Sequence, residues 1–205
     1  KSQYGNAYKH PRLNAADYKL TYQCKNIKRG VYSFCMCPGG VVVAAASEEG
    51  RLVCNGMSYH ARDLENSNSA LVVTVNPDDF EDKSILGGVE FQRKYEELAY
   101  KLGGSNYNAP IQLLGDFMKD RKSTAIGKVT PGYKPGYKLV DLRECLPPFV
   151  VEAIKEAIPN FDRKIKGYGM EDAVLTGIET RTSAPIRMGR TENLESTSVK
   201  GLYPC

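Results

Sequence analysis

The sequence predicts an α+β domain, a mainly antiparallel sheet with packed helices and no complete Rossmann core. Three observations lead there. Short β-rich runs separated by tight turns fill the stretch before Val75. After Glu90 the apolar period changes to about 3.6 residues. Nowhere does a strand lead into Gly-x-Gly-x-x-Gly or Gly-x-x-x-x-Gly-Lys-Ser/Thr, the turns that grip a dinucleotide or a phosphate.

Taken in order, the first thirty residues, with Tyr4, Tyr8, Tyr18 and Tyr22 among Lys and Asn, are an irregular entry broken only by a short strand at residues 19–22. Residues 31–37 and 41–46 flank Pro38-Gly39-Gly40, a pattern that predicts a hairpin. Residues 51–57 and 69–75 follow as strands, the second stopped by Asn76-Pro77, with a polar loop rich in Asn and Ser between them. Phe91, Tyr95, Leu98, Ala99 and Leu102 fall on one helical face that Gly103-Gly104 ends. A second, shorter helix is expected to open near Asn108-Ala109-Pro110 and carry Ile111, Leu114, Phe117 and Met118 inward. The repeated Gly-Tyr-Lys within residues 130–138 predicts an exposed, proline-stiffened loop. A third helix is bounded by Pro147-Pro148 and by Pro159, with Val150, Val151, Ile154 and Ile158 as its stripe. A last strand is expected over residues 173–182.

The balance of 28 Lys and Arg against 24 Asp and Glu is too even to argue for nucleic acid. No apolar run approaches the ~20 residues that cross a bilayer, so no membrane partner is expected. Six Cys in 205 residues are too sparse for a disulfide scaffold. Reduced thiols fit a cytoplasmic protein. The start at Lys1-Ser2-Gln3-Tyr4 and the close at residues 201–205 read as the cut ends of a larger polypeptide.

Few residues offer chemistry. Cys35 and Cys37, alternating along a strand with Met36 opposite, would point two thiols one way and could serve redox chemistry or zinc. Packing as small buried hydrophobes is the simpler reading, and no metal is assigned because the usual ligand spacings are missing. His10 and His60 sit in no nucleophile–base arrangement. Arg62, Asn66 and Asn68 crowd donors and acceptors at the start of a strand, where a ligand can be oriented. Arg181, Thr182, Ser183 and Arg187 concentrate cations and hydroxyls after another strand, a set able to hold a carboxylate or phosphate.

Strings spread over most of the chain resemble a known family. Residues 34–40 (FCMCPGG), 47–50 (SEEG), 55–58 (NGMS), 61–63 (ARD), 66–70 (NSNSA), 91–93 (FQR), 161–164 (FDRK) and 179–187 (ETRTSAPIR) are similar to those of large FAD-dependent dehydrogenases, flavoproteins whose Rossmann-type FAD domain is interrupted by a long insert. The resemblance implies that residues 1–205 are that insert alone, a single cap or substrate-side domain; the order of its elements allows a sheet lobe over 19–76 plus 173–190 and a helical lobe over 88–160. It implies FAD in the intact protein, little affinity for FAD in this piece, and the missing FAD-binding domain as its partner. The insert would cover the flavin and shape the pocket of a small-molecule substrate, with the loops 62–69 and 180–187 facing it. Two alternatives stay open: a standalone module for RNA or another anion, resting on the Tyr and Lys repeat, and a thiol or zinc site at Cys35 and Cys37.

Overall fold

The computed structural model describes residues 5–13 and 18–205; the expectations for Lys1–Tyr4 lie outside them. Among the described residues, eight strands and three α-helices form an α+β fold. The strands are β1 (Thr21–Gln23), β2 (Gly30–Cys37), β3 (Gly40–Ala44), β4 (Cys54–Ser58), β5 (Asn68–Val73), β6 (Ala109–Leu113), β7 (Tyr137–Leu139) and β8 (Val174–Thr176). The helices are α1 (Gly87–Gly103), α2 (Leu114–Met118) and α3 (Pro148–Lys164). Among the described residues the strands make three sheets, ordered β1-β2-β5, β3-β4 and β7-β6-β8, with the β6–β7 pair parallel and the other four pairs antiparallel.

The expected hairpin around Pro38-Gly39-Gly40 is a corner instead. Both edges of β2 are taken, by β1 and by β5, so β3 turns away and pairs with β4. Gly39 makes the corner possible. Its φ is +53°, and a Cβ there would stand 2.0 Å from the Arg62 carbonyl oxygen of the neighbouring loop. The two strands were correctly placed; their partners were not.

Residues 109–113, expected to begin a helix, form the central strand β6. Four of its five residues are buried, since it is flanked by strands on both sides, and an apolar run of that kind cannot be told from a buried helix by period. Pro110 is tolerated there because its carbonyl accepts from Gly177, just past the end of β8, where a ladder donor is dispensable. α2 is a single turn, reached only at Leu114.

Pro159 lies inside α3 rather than beyond it. It sits on the exposed side, so the hydrogen bond it cannot make is lost towards solvent. The helix continues to Lys164 because Phe161 is fully buried, edge-on to Tyr168 at 5.6 Å. α1 begins three residues before the expected start and stops as predicted, with Gly104 in the left-handed region at φ 109°. The last strand ends at Thr176, six residues early: Gly177 still bonds β6, but Ile178 accepts from Cys54 of β4 and the chain leaves the ladder.

One core joins Leu52, Ala99, Leu114, Phe117, Val140, Ile154 and Ile158; a second packs Leu20, Val31, Ala153, Ala157 and Phe161 together. At the margin, Arg29 grips Asp79 through two hydrogen bonds of 2.6 and 2.7 Å. The guanidinium holds the Asp79 carboxyl below its ordinary 3.8. A carboxyl depressed on folding adds stability that is present above its unfolded pKa and is lost as pH falls through the folded one. Between about pH 5 and pH 3 the stability of the protein should therefore fall, and Asp79→Asn should flatten that slope while lowering stability at neutral pH. Denaturant midpoints measured across the range check both.

Candidate functional site

The segment after β8 is fixed by one buried carboxylate. Glu96, midway along α1, is fully buried. Arg181 Nε and Nη2 donate to its two oxygens at 2.9 and 2.8 Å, and Thr180 Oγ1 adds a bond of 2.6 Å. Gln92, one turn earlier on α1, donates to the Thr180 carbonyl at 2.8 Å. Arg181 also reaches Ser47 and Glu48 of the acidic turn before residue 51. The hydrogen bond from Arg93 holds the Glu48 carboxyl below its usual range. A planar fork on a carboxylate fixes direction as well as distance, so α1, the 47–50 turn and residues 180–181 are locked together.

Beyond that anchor the chain frames an open groove of about 310 Å³ lined by Glu48, Gln92, Arg93, Arg181, Ser183 and Pro185, with Val89 and Ile186 as apolar floor. Gly88 lets the walls close: a Cβ there would lie 2.8 Å from Pro185. Thr182, Ser183 and Arg187 are exposed. Of the four residues singled out in this segment, Arg181 is the anchor and Ser183 lines the groove, whereas Thr182 and Arg187 are exposed outside its lining. Glu179, immediately before, is partly buried, and burial raises its carboxyl.

Loop 62–69 is a brace at another place. Asn66 Nδ2 donates to the Thr130 carbonyl at 2.8 Å while its own carbonyl accepts from Gly40. Asn68 Nδ2 lies 3.4 Å from the Met57 carbonyl, and its Oδ1 is buried without a partner. Arg62 is exposed and left-handed at φ 51°. No hydrogen bond or ion pair among the described residues joins this loop to residues 180–187.

The thiols divide by environment. A bulge in β2 pairs Phe34 with Ala70 and Cys37 with Asn68. Since Asn68 and Ala70 share a face of β5, Cys37 falls on the face of Phe34 and the expected alternation with Cys35 is broken. Cys35, at φ 48°, is exposed and Cys37 half-exposed. Burial pushes the Cys54 and Cys145 thiols up to about 12. At neutral pH an alkylating reagent should label Cys35 and Cys205 first, Cys37 more slowly, and Cys24, Cys54 and Cys145 only after unfolding; peptide mass spectrometry over time checks this. No group of three or more metal-ligating side chains occurs among the described residues. The Tyr and Lys loop also differs from expectation: Tyr133 is buried beside Cys54 and Ile111, so its ring is not offered at the surface for stacking on a base.

Sequence reading missed Glu96 and Gln92. The signal was present. Gln92, Glu96, Ala99 and Gly103 repeat at helical spacing, and a carboxylate on a packed face demands a buried cation or donor.

Over residues 1–182 the sequence matches the family described as FAD-dependent protein, C-terminal domain-like. The chain belongs to that family. It is also 70% identical over 203 residues to an uncharacterized protein of Clostridium beijerinckii, a match that covers 99% of this chain and 38% of the relative. The family match takes in the anchor Thr180-Arg181 and ends at Thr182, inside the groove-framing segment. Among the described residues no helix is long and apolar enough to cross a membrane.

Proposed function

We propose that this family member is the substrate-side cap of an FAD-dependent oxidoreductase, a dehydrogenase that holds FAD in a neighbouring fold and uses the groove beside α1 as one wall of its substrate pocket. The observation that carries the reading is the anchoring of Thr180 and Arg181 on α1 and the 47–50 turn, from which residues 183–186 run on along the groove. Arg181 is held on Glu96 and Ser183 lines the groove, while Thr182 and Arg187, on either side of the lining segment in sequence, are exposed. FAD supplies the hydride chemistry when bound. This chain supplies position: a rigid floor, two hydroxyls that can donate to a carbonyl or hydroxyl, and the Arg187 guanidinium for an anionic group. The family match and the greater length of the clostridial relative support a division of labour in which another part of the polypeptide grips the cofactor. Arg62 and the loop behind it are a second flavin-facing candidate, held in place by Asn66 and Asn68.

Two measurements test the proposal. FAD titrated into the isolated chain should show no tight binding, while the full-length protein should purify yellow and release FAD on denaturation. In the full-length protein, Ala184→Trp fills the groove while keeping both residues of the Arg181–Glu96 pair. Its FAD content should be unchanged, and reduction of the bound flavin by NADH or NADPH, used as probe reductants with candidate substrates as competitors, should lose the competitors' effect. A colourless full-length protein, or competition that survives the tryptophan, would overturn the reading.

A further inference from the structure

Residues 188–203 are tied together by hydrogen bonds among themselves. Thr191 N donates to Glu195 O, Thr197 N to Gly189 O, Ser196 N to Leu202 O and Leu202 N to Val199 O, and the Arg190 side chain closes the unit on the Pro204 carbonyl. Arg190 and Ser196 form an antiparallel bridge, with Leu194 left-handed at φ 66° in the turn between them. Every hydrogen bond described for residues 189–205 stays within that stretch, and no residue from 187 to 205 is buried. Its apolar side chains face solvent: Met188, Leu194, Val199, Leu202 and Tyr203 are between 46% and 61% exposed.

Such a unit does not hold itself together. Ordering a backbone costs about 1–2 kcal/mol per residue, and a lone two-stranded hairpin is marginal in water. Burial offsets little of that cost, because no residue of the stretch is buried. Five large apolar side chains within sixteen residues, on a hydrogen-bonded frame, have the make-up of a contact surface whose other half lies elsewhere.

We propose that residues 188–203 are the platform on which this domain docks against the FAD-binding portion of a longer polypeptide. The inference rests on the reading above that a flavin-binding fold stands beside this domain. Two further observations favour that occupant over a second copy of the chain. More than three-fifths of the clostridial relative lies outside the matched region. The platform also follows directly on residues 180–187, so whatever covers it is brought to the rim of the groove.

Hydrogen–deuterium exchange at the amides of Thr191, Ser196, Thr197 and Leu202 tests this. In the full-length protein they should exchange about a hundredfold more slowly than in the 205-residue chain at the same pH. Leu194→Asp with Leu202→Asp in the full-length protein should return them to the rate in the isolated chain, with the amides of α1 unchanged as the control for folding. Equal rates in both proteins, or a gene product that ends with these residues, would overturn the platform. Protection that appears in the isolated chain only on concentrating it would name a second copy and overturn it too. Flavin content is read on the same preparation. Protection without flavin keeps the contact and removes the flavin assignment, whereas flavin without protection removes the platform alone.

Discussion

Arg181→Ala is expected to destabilise the protein by about 3 kcal/mol, because it leaves the fully buried Glu96 carboxylate with Thr180 Oγ1 as its one side-chain donor. Breaking a buried pair from one side commonly costs about 3–5 kcal/mol. The lower end applies because the Arg181 side chain is itself 36% exposed, so solvent already screens part of the interaction. The same logic fixes the control. Adding Glu96→Gln to Arg181→Ala removes the orphaned charge and should recover more than half of the loss, whereas Thr180→Val alone should cost about 1 kcal/mol. Denaturant unfolding of the parent, Arg181→Ala, Glu96→Gln and the double variant gives the cycle. A double variant no more stable than Arg181→Ala would show that Glu96 is not the group that needs the arginine. The outcome bears on the groove as well, since the pair fixes Arg181, from which the lining residues 183–186 run on.

Phe161→Ala should cost still more, about 3–5 kcal/mol. The ring is fully buried among Leu20, Val31, Ala153 and Ala157, with Tyr168 edge-on to it. Two effects add: the ring's transfer from water is lost, and the surrounding β1, β2 and α3 side chains cannot collapse fully into the space. Tyr168 matters here because its hydroxyl donates to Ser33 on β2 at 2.9 Å and bonds Ser69 on β5 at 3.2 Å. Losing the ring against which Tyr168 leans should loosen the end of α3 from the sheet, so exchange at β2 and β5 amides should rise together with the fall in unfolding midpoint. Phe161→Leu, which keeps most of the volume, should recover much of the difference.

How far the sequence reached differs from element to element. α1 was legible almost whole, because its period, its glycine stop and its length are all local properties. β5 was legible for the same reason, although it stops at Val73 rather than at Asn76-Pro77. β6 was not: a strand covered on both sides displays no alternation, and the spacing of Ile111, Leu114 and Phe117 imitates a helix. Pro159 misled because a proline on an exposed helical face costs less than the burial of Phe161 two residues later returns. In the candidate site, the cluster of Arg181, Thr182, Ser183 and Arg187 could be seen as a concentration of donors. Which of the four is spent on the fold could not, since Glu96 lies 85 residues away in sequence.

By itself, then, the sequence determined the α+β class, the glycine and proline punctuation, most strand positions and the resemblance that led to the family. These are set by local sterics and by side-chain chemistry read in order along the chain. Only the tertiary structure decided partners: that β2 gives both edges to β1 and β5 and sends β3 to another sheet, that a bulge parts Cys35 from Cys37, and that Arg181 is anchored while Ser183 and Arg187 stand free. The reason is that pairing and burial are settled by competition among segments far apart in sequence, and the free energy of each contact depends on which surfaces the others have already covered.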